Sequence, residues 1–246
     1  MEDAGFLMID KPTGCTSHDI IYKLRKITSI RKIGHAGTLD PFASGLLICA
    51  VARTATREID RFVKLDKEYI ADLFLGARSD TYDREGKILE NRENYNFSKK
   101  NCNVETRCIA SIQEVLDKFQ GKQEQVPPMF SAKKVGGKKL YQLARKGIEI
   151  KREPFQIEIF EIELLDYAWP RLKIRVSCSS GTYIRSLASD IGDTLGCGAY
   201  LEELRRTRIG KFRIEEAVSI DKLDSNNWRE YLRYELLTLH TSLLKT

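Results

Sequence analysis

An α+β fold is predicted for this chain of 246 residues. Three observations carry the prediction. Strand-like and helix-like segments are mixed without a steady βαβ rhythm, which disfavours a doubly wound parallel sheet. The apolar fraction, 42%, is enough for a sizeable core. The longest apolar stretch, Leu46 to Ala52, has strand length and falls well short of the roughly eighteen residues of a membrane-spanning helix.

The elements follow in chain order. Gly5 to Asp10 reads as a strand, and Lys11-Pro12-Thr13-Gly14 as a turn, because proline and glycine both interrupt regular structure. Ser17 suits a helix N-cap, with Ile20, Ile21, Leu24 and Ile27 at helical spacing behind it. A basic loop, Arg31-Lys32, leads to the glycine-rich segment Gly34–Leu47, and Leu46–Val51 reads as a buried strand. Tyr69–Leu75 is a further strand, and the turn formers of Ser79–Gly86 connect two strands. Val104–Phe119 has helical spacing through Ile109, Ile112, Val115, Leu116 and Phe119, with Gly121 as the stop. Gln125-Val126-Pro127-Pro128 cannot be regular helix. Gly136-Gly137 adds flexibility before a short helix, Lys139–Lys146. Phe155–Leu165 and Leu172–Val176 alternate as strands. A helix is expected from Tyr183 to Leu195 and a second, short one from Tyr200 to Arg205. The tail from Ser219, with Trp228, Tyr231, Leu232, Leu236 and Leu237, reads as amphipathic helices packing on the body.

Composition excludes several function classes. Glu2 and Asp3 stand where a secretory signal would be basic, so a cytoplasmic protein is expected. The six cysteines form no C-x-x-C pair and only three histidines accompany them, which argues against a zinc site and against a disulfide framework. There is no G-x-S-x-G elbow, no P-loop and no evident second catalytic carboxylate. Charge is concentrated rather than spread. Between Ser131 and Arg152 stand Lys133, Lys134, Lys138, Lys139, Arg145, Lys146, Lys151 and Arg152, against the single acid Glu149. That is the footprint of phosphate contacts, and charge alone does not separate it from a solvated basic face.

The most distinctive segment is Gly34-His35-Ala36-Gly37-Thr38-Leu39-Asp40-Pro41-Phe42-Ala43-Ser44-Gly45-Leu46-Leu47. Three glycines and a proline surround one carboxylate, and Pro41 biases Asp40 away from helix and stiffens the loop. Taken alone, an Asp-Pro pair is a common turn element. The whole segment, however, resembles the G-x-x-G-T-L-D-P-x-A-x-G-x-L signature of the TruB family of pseudouridine synthases. Further segments are similar to the same family in the same order: Asp10–Gly14, Ser79–Gly86, Gln125–Gly147 with its Pro-Pro-x-x-Ser-Ala-x-Lys core, and Ser180–Leu187, continued by Leu204–Gly210. The resemblance spans roughly residues 5 to 217.

It implies the pseudouridine synthase fold: a mixed, mainly antiparallel sheet flanked by helices, with an RNA-binding insertion at about residues 120–153. It also implies a catalytic domain over residues 1–217, followed by a short helical tail at 218–246 in place of a full C-terminal PUA domain. The implied reaction converts uridine to pseudouridine at position 55 in the T loop of tRNA. The N1–C1′ bond breaks, the uracil turns, and a C5–C1′ bond forms. No atom is gained or lost, so neither cofactor nor metal is expected, and the partner is the tRNA T stem-loop bound to a monomer.

By the same resemblance Asp40 is the catalytic carboxylate, suited to a C1′ centre that becomes positive. Attack on C1′ and proton abstraction at C2′ both remain open routes. Tyr69 matches the active-site tyrosine, implied to stack on the base and to take part in proton loss from C5. Arg185 matches the arginine that pairs with the aspartate. Tyr183 and Leu204 match residues lining the uracil pocket, and His35 the histidine that helps extrude the base. Lys11 is a candidate phosphate or active-site contact. Lys133, Lys134, Lys138, Lys139 and Arg145 fall in the insertion that closes over the RNA. Two competing readings are a non-catalytic RNA-binding or chaperone protein of the same fold, and a nucleoside hydrolase that releases free base.

Overall fold

The computed structural model describes residues 3–90, 105–131, 133–144 and 146–238. The chain forms two compact units, one built from residues up to Ile70 together with those from Leu204 onward, the other from Ala71–Glu203.

Strand β1 (Gly5–Lys11) opens the first unit, and helix α1 (Ser17–Thr28) follows. The cap of α1 is Thr16, not the expected Ser17. Thr16 Oγ1 accepts the Asp19 N–H at 3.1 Å and the Asp19 carboxylate accepts the Thr16 N–H at 2.8 Å. This reciprocal capping box satisfies two donors that the first turn would otherwise leave open. Then come β2 (Ile33–His35), β3 (Ser44–Val51), the short helices α2 (Ala52–Arg57) and α3 (Asp60–Val63), and β4 (Lys67–Leu75), within which the chain passes to the second unit.

Strands β1 and β3 pair antiparallel from Gly5↔Val51 to Lys11↔Gly45. Their alternation feeds two cores. Leu7, Ile9, Leu47, Cys49 and Val51 pack with Ile20, Ile21 and Leu24 of α1. Phe6, Met8, Leu46, Ile48 and Ala50 pack on the opposite side with Phe62 of α3. A strand covered on both faces needs apolar residues at every position, which is why Leu46–Ala52 has no alternation.

The second unit starts with the hairpin β5 (Ala77–Ser79) and β6 (Ile88–Glu90), joined by the expected turn segment. Helix α4 (Glu105–Lys118) and β7 (Gly121–Gln125) follow. Gly136-Gly137 does not loosen the chain there. It makes the tight turn between β8 (Lys134–Val135) and β9 (Lys138–Lys139), with both glycines at positive φ, +57° and +79°. Such a turn suits the twist of a two-residue hairpin. Helix α5 (Leu140–Ala144), the antiparallel strands β10 (Phe155–Ala168) and β11 (Arg171–Cys178), and helix α6 (Ile184–Thr194) complete the unit.

Strand β12 (Ala199–Ile209) returns the chain to the first unit, and it corrects the sequence reading. Tyr200–Arg205 was expected to be a short helix, because Leu-Glu-Glu-Leu-Arg-Arg is rich in helix formers. It is extended, and β12 pairs parallel with β3 at Arg205↔Ser44 and Arg206↔Gly45. Pairing with a strand already fixed in the core overrides a weak local preference.

After β13 (Phe212–Arg213) and β14 (Val218–Ser219), the expected tail helices prove to be single 3-10 turns at Ile220–Lys222, Trp228–Tyr231 and Glu235–Leu237. The Asp224 carboxylate accepts from the Asn226 and Asn227 amides at 2.7 and 2.9 Å, a local arrangement that competes with helix. Packing is nevertheless extensive: Trp228 and Leu232 enter the first core and Leu236 the second. Arg233 exchanges both backbone bonds with Phe6, at 2.8 and 3.2 Å.

Within the first unit the strand order is β14-β1-β3-β12, parallel at its two outer pairs and antiparallel between β1 and β3. Within the second the order is β4-β11-β10-β7. Mixed pairing with flanking helices is the predicted α+β class. No helix among the described residues is long and apolar enough to cross a membrane.

Gly45 is where β3 and β12 meet most closely. Its φ is +109°, and a β-carbon there would lie 2.3 Å from the Arg206 carbonyl oxygen. Gly45→Ala is expected to lower the unfolding free energy by at least about 2 kcal/mol, through strain and backbone displacement together. Urea denaturation checks this; an unchanged midpoint would contradict it.

Candidate active site

The loop carrying Asp40 belongs to the first unit and is tied down along its length. It leaves β2 with the Ala36 N–H donating to Ile48 O at 2.8 Å. The buried Arg206 guanidinium then holds two carbonyls, Leu46 O at 2.8 Å and Gly37 O at 3.1 Å. Gly37 takes a φ of +85° beside that guanidinium, a conformation that suits glycine. At Leu39 the Ser17 hydroxyl accepts the N–H at 2.9 Å and donates to the carbonyl at 3.1 Å. The Ala43 N–H donates to Asp40 O at 3.1 Å, closing a four-residue turn with Pro41 in its second position, as its fixed φ favours. The Gly14 N–H donates to Pro41 O at 2.9 Å.

Leu39, Phe42 and Ala43 are buried around a half-buried Asp40. The result is one carboxylate on a rigid mount. Lys11 is part of that mount. It is fully buried, and its ammonium donates to Pro12 O at 2.8 Å, Cys15 O at 2.7 Å and Pro41 O at 3.4 Å. These bonds tie Lys11 into the framework of the loop.

His35 ends β2, half-buried, with its Nδ1 out of solvent and no hydrogen-bond partner for that atom. Burial first, then the nearby Arg206 and His18 charges, hold its pKa below the ordinary histidine value. The side chain is therefore a neutral imidazole around neutral pH, a form that is cheaper to move into an apolar setting than a cation. Tyr69 on β4 and Leu204 on β12 are both buried in the first unit.

The second unit contains a cluster of its own. Arg185, in the first turn of α6, forms an ion pair with Asp83 at 3.3 Å, both side chains 5% exposed. Its guanidinium also donates to Phe130 O at 2.8 Å and Thr81 O at 3.3 Å. Asp83 is held in turn by the Thr81 hydroxyl at 2.6 Å and the Glu85 N–H at 3.0 Å. A buried pair held this way fixes geometry more than it adds stability, and removing one partner strands the other at roughly 3–5 kcal/mol.

Tyr183 precedes α6. Its backbone is gripped by the Gln125 side chain, which donates to Tyr183 O at 3.1 Å and accepts from Tyr183 N–H at 2.8 Å. The Tyr183 and Phe155 rings meet edge-to-face with centres 6.1 Å apart, and the Lys133 ammonium sits 4.0 Å from the centre of the Phe155 ring. Lys134, Lys138 and Lys139 lie on the β8–β9 hairpin. Arg145 lies outside the described residues.

Sequence reasoning named Asp40, Tyr183 and Arg185 but assigned no role to several residues that hold them. Asp83 sits in the family-matching turn Ser79–Gly86 and Gln125 at the start of the family-matching Gln125–Gly147, neither singled out within its segment. An acid in a family-matching turn was the one available signal. Nothing in the sequence pointed to the bonds that Arg206 and Ser17 make, since their partners are distant in sequence.

The His35 shift has a pH consequence. Its neutral form is favoured in the folded chain, so the unfolded chain takes up the proton first as pH falls. Stability is then lost as pH drops below the ordinary histidine pKa of about 6.5 toward the lower folded value. In His35→Gln the fall in urea midpoint between about pH 7.5 and pH 5 is expected to be shallower than in the parent chain. Parallel curves would show that His35 does not titrate in this way.

Comparison with known proteins matches this geometry to a family. The TruB family pseudouridylate synthase (N terminal domain) profile matches residues 25–184, and the tRNA pseudouridylate synthase B C-terminal domain profile matches residues 185–243. The chain is 51% identical over 215 residues to the tRNA pseudouridine synthase B of Protochlamydia amoebophila, covering 87% of this chain and 78% of that protein. It is 50% identical over 240 residues to the protein of the same name from Syntrophomonas wolfei, covering 96% and 76%. Among solved structures, the crystal structure of a Cbf5-Nop10-Gar1 complex contains a chain with a TM-score of 0.65 and 31% identity. That match covers 92% of this chain and 56% of the other, so this chain spans just over half the length of that one. With one profile matching more than half of its length and relatives near 50% identity over most of it, the chain belongs to the TruB family of pseudouridylate synthases.

Proposed function

We propose that the chain isomerises uridine to pseudouridine at position 55 in the T loop of tRNA, with Asp40 as the essential carboxylate. Pseudouridine synthesis follows from the family; the tRNA position, the residue roles and the course of the reaction are the proposal. The observation that carries it is the Asp40 loop. Its backbone is bonded at Gly37, Leu39, Asp40 and Pro41, so a half-buried carboxylate is carried on a fixed stretch of chain. Such rigidity is needed by a group that must meet C1′ at reacting distance.

The reaction breaks N1–C1′ and makes C5–C1′. The C5 proton leaves, N1 gains one, and the composition of the RNA is unchanged. A carboxylate stabilises the positive charge that develops at C1′, whether by bonding to it or by taking the C2′ proton. Tyr69 stacks on the base and takes part in removing the C5 proton. Tyr183 and Leu204 wall the uracil so that the cleaved base stays in place. Arg185 supplies positive charge, and what supports the assignment is its immobilisation by Asp83, Thr81 and Phe130. His35, held neutral, occupies the space left when the target base leaves its stack. Lys133, Lys134, Lys138, Lys139 and Arg145 bind the phosphates of the T arm. The same reading makes the chain a cytoplasmic monomer whose chemistry calls for no cofactor. The family membership and the retained Asp40 favour a catalyst over a binding protein of the same fold.

Loss of the C5 hydrogen gives a direct assay. With tRNA labelled with tritium at uridine C5, the parent chain is expected to release label to water. Asp40→Asn should lower that rate on the order of 10³-fold or more, while RNA affinity stays within about threefold. Parent-like release from Asp40→Asn would overturn the assignment.

A further inference from the structure

Ser17 begins α1, but the helix does not use its side chain, because Thr16 and Asp19 close the cap. Its hydroxyl instead reaches across 22 residues of sequence to Leu39 and is used in both directions, accepting the N–H and donating to the carbonyl of that one residue. Ser17 is 1% exposed and Leu39 is 3% exposed, so both backbone groups would otherwise be shut away from water without these bonds. The next residue is Asp40.

The other described backbone ties on the loop are those of Arg206 on Gly37 O, of the Ala43 N–H on Asp40 O, and of Lys11 and Gly14 on Pro41 O. The Ser17 clasp holds Leu39, whose carbonyl belongs to the peptide that leads into Asp40. We propose that Ser17 is a positioning residue for the reaction: it touches no substrate and acts by orienting the Asp40 carboxylate toward C1′. This rests on Asp40 being the essential carboxylate. A displacement of about 1 Å at a reacting group costs on the order of 100-fold in rate, and loss of a two-point bond on the preceding residue permits a shift of that size.

The test compares Ser17→Ala and Ser17→Cys with the parent in the full chain, using tritium release from C5-labelled tRNA. Ser17→Ala is expected to lower kcat by roughly 10- to 100-fold with KM and RNA affinity within about threefold, because binding does not depend on the aim of the carboxylate. Ser17→Cys keeps the side chain but offers only a weak donor and acceptor, and its kcat should fall between the two. Parent-like kcat in a folded Ser17→Ala would overturn the proposal and leave Ser17 a purely structural residue. So would a fall in kcat matched by an equal loss of RNA affinity, since that reports general loosening. If Ser17→Ala does not fold, Ser17→Cys decides by the same criteria. Failure of the underlying functional reading looks different: the parent chain would itself release no label, or Asp40→Asn would release it at the parent rate.

Discussion

A guanidinium buried to 1% exposure organises the first unit. Arg206 projects from β12, a strand that runs parallel to β3, and bonds two carbonyls on either side of the Asp40 loop, Gly37 O and Leu46 O. A buried cation must recover its lost hydration from fixed dipoles, and these carbonyls supply it only if the loop takes this path. The surroundings follow from that demand. Gly37 and Gly45 take positive φ beside Arg206, at Gly45 a side chain would collide with the Arg206 backbone, and the positive charge helps keep His35 neutral.

The second unit solves a related problem with opposite charges. Arg185 and Asp83 are both buried, and each is satisfied further by backbone and hydroxyl groups from Thr81, Glu85 and Phe130. Contacts of this kind contrast with the many pairs at the surface, such as Lys151–Glu153, where both partners are more than three-quarters exposed. Surface pairs contribute little energy and constrain little. Buried ones are expensive to leave incomplete, and so they fix the angle at which a side chain leaves its helix.

Much of this was legible in the sequence, and the pattern of success has a physical cause. The apolar run Leu46–Val51, the helical spacing after Ser17 and the turn at Asp40-Pro41 are short-range signals, and each corresponds to an element found. The family signature pointed to Asp40, Tyr69 and Arg185. Tyr200–Arg205 was misread because propensity is local and strand pairing with β3 is not. The cap was placed one residue late because Thr16 and Ser17 are both good N-caps, and only the Asp19 carboxylate separates them. The holding roles of Ser17, Gln125, Asp83 and Arg206 escaped notice for a common reason: each acts on a backbone or side-chain group that the fold brings near, and sequence spacing carries no record of the encounter.

The ties on the Asp40 loop share one property. Those at Gly37, Leu39 and Pro41 end on peptide carbonyls or amides, and the anchoring side chains all come from other parts of the chain. Holding the loop in place therefore asks little of the loop's own exposed side chains. A mount of this design separates the path of the loop from its surface chemistry: groups elsewhere in the first unit set where the backbone runs, and the Asp40 carboxylate is carried by that path.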